Sequence, residues 1–177
     1  MKEIVREVQA IWAPLVKVVV DPPEAPTRIG AIRLALRAEE RLTPAASAHD
    51  PAALGWIEFV DGQPQPLITV SLERARVVVS RAVVAGRLVQ DWPAVVGERL
   101  TAVAIGRAIA HEVGHYLLQS PAHSRTGLMR AGLATRDLTE RGTARLGLSK
   151  DERERVARRL AAPVWASAPK SDAQAVW

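Results

Sequence analysis

Cysteine is absent from the 177 residues. That excludes a disulfide framework, a thiolate metal site and a cysteine nucleophile together. Aromatic residues are scarce, with one Phe, one Tyr and five Trp. An RNA-stacking platform, which draws on several Phe and Tyr side chains of one sheet, is therefore not expected. No run approaches the roughly 18 uncharged apolar residues that a spanning helix takes, so no membrane span is expected. The start of the chain lacks the apolar core of a secretory signal, because Lys2, Glu3, Arg6 and Glu7 interrupt it. The chain then reads as cytoplasmic, or as a form from which an export signal has been trimmed.

What is present suits a folded domain. Hydrophobic residues make up 48% and charged residues 24%, enough apolar matter for a core. The length fits a single domain over residues 1–162, followed by an Ala-, Pro- and Ser-rich tail over 163–177. The net charge is +5, and 20 of the 24 basic residues are Arg. The excess lies between Ser124 and Leu160, where ten basic residues face five acidic ones. No nucleic-acid motif accompanies it, so a solvated, Arg-rich surface is expected and nucleic acid is not.

Periodicity gives an α+β order. Ile4, Val8 and Ile11 recur at helical spacing, which predicts a helix over 2–13 ended by Pro14. Leu15 to Val20 is a β-branched run and reads as a strand. Residues 32–37, 54–60 and 67–72 read as further strands, giving a twisted mixed sheet of about four. Asp61-Gly62 opens a turn that Gln63 to Pro66 prolongs. Pro64 and Pro66 suit a sheet edge, so 67–72 is expected to be an exposed edge strand. Residues 73–90 fit either strand or helix. Asp91 reads as the N-cap of a long helix running to Gln119 and ended by Pro121. Ser149 and Glu152 form a capping box that opens a last helix to about Leu160.

The long helix carries His111-Glu112-Val113-Gly114-His115, an H-E-x-x-H motif. Residues four apart lie about 40° apart around a helix, so both imidazoles can reach one cation. Neutral imidazoles suit zinc, and an acidic residue beside them can take a proton from a zinc-activated water. A catalytic zinc needs a third protein ligand. His123 is the nearest candidate, past the Ser120-Pro121 break. Glu140, 25 residues beyond His115, competes with it, as in thermolysin-type sites. His49 reads as a surface histidine and Tyr116 as a packed side chain. Met129, within Gly127-Leu128-Met129, is the only internal methionine.

The H-E-x-x-H helix, the later His123 and the Gly127-Leu128-Met129 run resemble the metzincin clan of zinc metallopeptidases. The resemblance implies that His111, His115 and His123 bind one catalytic zinc. It implies Glu112 as general base and Met129 as a methionine turn forming a hydrophobic floor. It further implies a peptide or protein substrate bound extended along an antiparallel edge strand, and a secreted or periplasmic location if a signal was removed. The clan pattern places the third histidine six positions after the second; here the interval from His115 to His123 is eight. Leu118 occupies the clan's glycine position. A reading of another class is a non-catalytic DNA- or partner-binding regulator that retains the helix, motivated by the basic C-terminal half. The arginines between Arg125 and Arg136, where a specificity pocket would lie, read as surface residues.

Overall fold

The computed structural model describes residues 1–13, 15–19, 21, 24–26, 31–41, 52–140 and 142–161. The expectations for His49 and for the tail over 163–177 lie outside the described residues. The order is α1 (Lys2–Trp12), β1 (Ala35–Glu39), β2 (Gly55–Val60), β3 (Gln63–Ser71) and α2 (Leu72–Ser80), then β4 (Val83–Val84) and β5 (Arg87–Leu88). The helices α3 (Ala94–Leu118), α4 (Thr135–Thr139) and α5 (Lys150–Ala161) follow. This is a mixed α+β fold with a small mixed sheet. Among the described residues no helix is long and apolar enough to cross a membrane.

The sheet has three strands in the order β1-β3-β2, with β1 parallel and β2 antiparallel to β3. Asp61 and Gly62 both take positive φ and join β2 to β3 in a two-residue turn. Their right-handed twist matches that of the flanking strands. Strand β3 therefore starts at Gln63, and the segment expected to prolong the turn is already paired. The expected exposed edge strand over 67–72 is corrected. Residues Leu67 to Ser71 pair with β1 on one side, Ile68 to Val70 also with β2 on the other, and Leu72 opens α2. Thr69 and Ser71, the polar residues that alternate with Ile68 and Val70, are buried rather than exposed. Short hydroxyl side chains alternate with Ile and Val as readily under a covering layer as in water. The prolines do mark a border, since β1 pairs only from Leu67 onward. The edge beside the helices is β2, not β3.

A second correction concerns Leu15 to Val20. Residues 15–19 form no strand. The chain runs back along α1, and the Gln9 side chain takes the place of a neighbouring strand. Gln9 Oε1 accepts from Val18 N–H at 2.7 Å, and Gln9 Nε2 donates to the Val16 carbonyl at 3.4 Å. The ambiguous segment over 73–90 resolves into α2, capped by Ser71 Oγ, and the β4–β5 hairpin. Asp91 sits in a single 3-10 turn, and α3 begins behind Pro93 rather than at Asp91.

Helix α3 is the centre of the molecule. Its run from Val103 to Ala110 is apolar on nearly every side and buried, as a helix covered all round must be. Helix α1 covers one face: the Trp12 indole N–H donates to the Ala110 carbonyl at 3.1 Å. At Gly106 a Cβ would stand 2.8 Å from Glu7 Cβ and 2.9 Å from the Ile4 carbonyl, so only glycine allows this approach. Strands β2 and β3, with α2, cover other parts of α3. Helix α5 starts as expected: Ser149 N–H donates to Glu152 Oε2 at 2.7 Å, and Glu152 N–H to Ser149 Oγ at 3.3 Å.

Candidate metal centre

His111, Glu112 and His115 stand in the last two turns of α3. The helix stops at Gln119, whose φ of 50° is left-handed. Its reversal lets the chain return through Ser120 and Pro121 to His123. The imidazoles of His111, His115 and His123 converge, with ligand atoms within 4.8 Å of one another. His111 and His123 are stacked at 5.4 Å between centroids, and His115 meets both edge-on. These three residues could hold a metal ion. Glu140 does not join them: its carboxylate bonds Arg136. Tyr116 packs half-buried against the core.

The hydrogen bonds fix the tautomers of two rings. His111 Nδ1 lies 2.7 Å from the Leu128 carbonyl, and His115 Nδ1 lies 2.7 Å from the Ser120 carbonyl. A carbonyl only accepts, so each Nδ1 carries the hydrogen and each neutral ring leaves a lone pair at Nε2. Those two Nε2 atoms stand 3.0 Å apart. Two lone pairs at that separation repel unless a proton or a cation lies between them. A proton is disfavoured, since burial lowers His111 to about 4 and also lowers His115. Two nitrogens at about 2.0–2.1 Å from a tetrahedral zinc would stand about 3.3 Å apart, close to the spacing seen. The three imidazole donors are compatible with a metal ion held among them.

Glu112 is buried beside the imidazoles. Burial pushes its carboxyl up to about 8, against an opposing hydrogen bond from the Ile57 N–H of β2. A cation among the three histidines would draw that value down by direct attraction.

Met129 is fully buried. Its side chain presses on Gly114, where a Cβ would collide with Sδ and lie 3.0 Å from Cε. The methionine thus sits under the helix between its two histidines. The turn is held by Ser124 N–H donating to the Met129 carbonyl at 2.7 Å. Gly127 takes a φ of +77°, and a Cβ there would strike the Gly147 carbonyl.

The three histidines and Glu112 open into a cleft of about 590 Å³. One wall is the edge strand, with Gly55, Trp56, Ile57 and Phe59; the other runs from Arg130 to Thr135 and includes Leu138. Phe59 meets the His115 ring edge-on at 6.5 Å. Arg130 in the second wall is paired with Asp137, so its charge is taken up within the wall.

Sequence reasoning missed Arg107. It is fully buried and pairs with Glu7 of α1 at 3.2 Å. It also donates to the carbonyls of Asp137, Glu140 and Gly142 at 2.6, 2.8 and 3.1 Å. The available signal was a lone arginine inside the apolar run from Val103 to Ala110. The roles of Gly114 and Trp12 were missed too, because each depends on a partner distant in the chain.

The chain matches no model of a known protein family, no curated protein and no solved structure.

Proposed function

We propose that the protein is a zinc-dependent peptidase with a metzincin-like arrangement, in which His111, His115 and His123 hold the ion. The observation that carries this reading is the pair of bare Nε2 lone pairs 3.0 Å apart, with a third imidazole against both rings. Three imidazole nitrogen donors and no thiolate suit a catalytic zinc, whose remaining position stays open. Zinc, when bound, supplies Lewis acidity that polarises a carbonyl and acidifies water.

The chain's own residues do the rest. Glu112 accepts a proton from the attacking water at its carboxylate and returns it to the departing amine nitrogen as the C–N bond breaks. The edge strand β2 offers main-chain groups to an extended peptide, which lies along it as a further strand. Phe59 and Trp56 border that path. Main-chain pairing holds the scissile carbonyl without demanding a particular side chain, which suits broad specificity.

The test is the metal content of the purified protein beside that of its Glu112→Ala variant. Both are expected to carry one zinc per chain. Peptide cleavage in the variant is expected to fall by about 10²–10⁴-fold. A wild-type protein without metal affinity, or a variant cleaving at the wild-type rate, refutes the reading.

A further inference from the structure

Two of the three candidate ligands are anchored through their rings: His111 on the Leu128 carbonyl and His115 on the Ser120 carbonyl. His123 differs. Its ring is exposed, and no hydrogen bond to it is found among the described residues. Apart from its ring contacts with His111 and His115, its position is set by its backbone and by the residues beside it.

Those residues are held by α5. Ser124 follows His123 directly, and its hydroxyl donates to Glu152 Oε1. Glu152 is only 6% exposed, and its other oxygen accepts the Ser149 N–H. One helical turn on, Arg155 donates to the Leu118 carbonyl at 2.8 Å, where α3 ends. The segment from Leu118 to Ser124 thus leaves α3 and carries His123 while gripped at both ends by one helix. The capping box accounts for Oε2 of Glu152; it does not account for Oε1.

We propose that Glu152, acting through the Ser124 hydroxyl, is the positioning residue for His123, so that α5 belongs to the metal site. The proposal rests on the metal-binding reading above. Groups behind a ligand tune affinity by restricting where the donor atom can sit. A loop of this length between the second and third donors pays for its freedom whenever the ion binds, and a tether at Ser124 removes most of that freedom beforehand.

The experiment uses the full chain. Zinc affinity is measured by competition with a chromophoric chelator, and the visible spectrum of the cobalt-loaded protein reports the donor set. Ser124→Ala removes the hydroxyl but keeps the N–H bond to Met129 and the capping box. It is expected to weaken zinc binding by about 10–100-fold and to alter the cobalt bands. Ser124→Thr, which retains a hydroxyl, is expected to restore both. Ser149→Ala removes only the hydroxyl half of the capping box, the acceptor of the Glu152 N–H, and leaves Ser124 untouched; it is expected to lower the unfolding midpoint and leave metal affinity unchanged. Ser124→Ala binding zinc as tightly as wild type overturns the proposal and leaves the metal site standing. So does Ser149→Ala weakening zinc as much as Ser124→Ala, since α5 would then act through overall stability. A wild-type chain that takes up no zinc overturns both readings.

Discussion

Gly114 stands between the two helical histidines, and only hydrogen fits there. An exposed helical Gly→Ala change stabilises by roughly 0.5–1 kcal/mol, because alanine loses less backbone entropy. Here the added methyl meets Met129 Sδ, with Trp12 Cζ2 at 3.7 Å behind it. Gly114→Ala is therefore expected to destabilise by about 1–3 kcal/mol, the range for overpacking a tight core. Urea unfolding measures it, and adding Met129→Ala should recover part of the loss, since the two residues share one space. The opposite sign, a stabilised Gly114→Ala, would remove the packing argument. This is also where legibility in the sequence ends. His111, Glu112 and His115 are readable because the helix puts neighbours four apart on one face. Gly114 and Met129 are fifteen positions apart and meet only through the turn after His123.

The elements that decide the site are the end of α3 and the strand beside it. The sequence pointed to a helix running to Gln119 and ended by Pro121; the last helical residue is Leu118, one earlier. The reversal is made by Gln119 itself, in a conformation that costs a side-chain-bearing residue about 1–2 kcal/mol. Gln119→Gly is expected to raise the unfolding free energy by about 0.5–1 kcal/mol, part of the relieved strain being offset by a freer unfolded chain. Denaturant titration of the two proteins checks it. The long helix, the last helix and the Asp61-Gly62 turn were legible because their signals are local: apolar periodicity, a capping box and a positive-φ pair. The order of the sheet was not legible. Alternation in 67–72 tells which side chains share a face, but not how many strands lie beside them. Leu15 to Val19 misled for a similar reason, as β-branched residues favour extended backbone whether the partner is a strand or the Gln9 amide.

At the scale of the whole molecule, Arg107 joins parts that the chain keeps far apart. Its guanidinium holds Glu7 of α1 and the carbonyls of Asp137, Glu140 and Gly142, just beyond the cleft wall. Replacing it by methionine keeps the stem but leaves the Glu7 carboxylate, 13% exposed, without this partner, and three carbonyls without their donor. Arg107→Met is expected to cost about 3–5 kcal/mol, the range for breaking a buried pair on one side. Thermal and urea unfolding measure this, and a change below about 1 kcal/mol would put the residue among ordinary surface arginines. The α1–α3 contact carries a further consequence for synthesis. The bonded pairs Trp12–Ala110 and Glu7–Arg107 are 98 and 100 positions apart. At roughly 5–20 residues per second, α1 leaves the ribosome some 5–20 s before its partner helix is made. During that interval Val8 and Trp12 have no α3 to cover them, and the helix that bears the histidines meets a waiting neighbour as soon as it emerges.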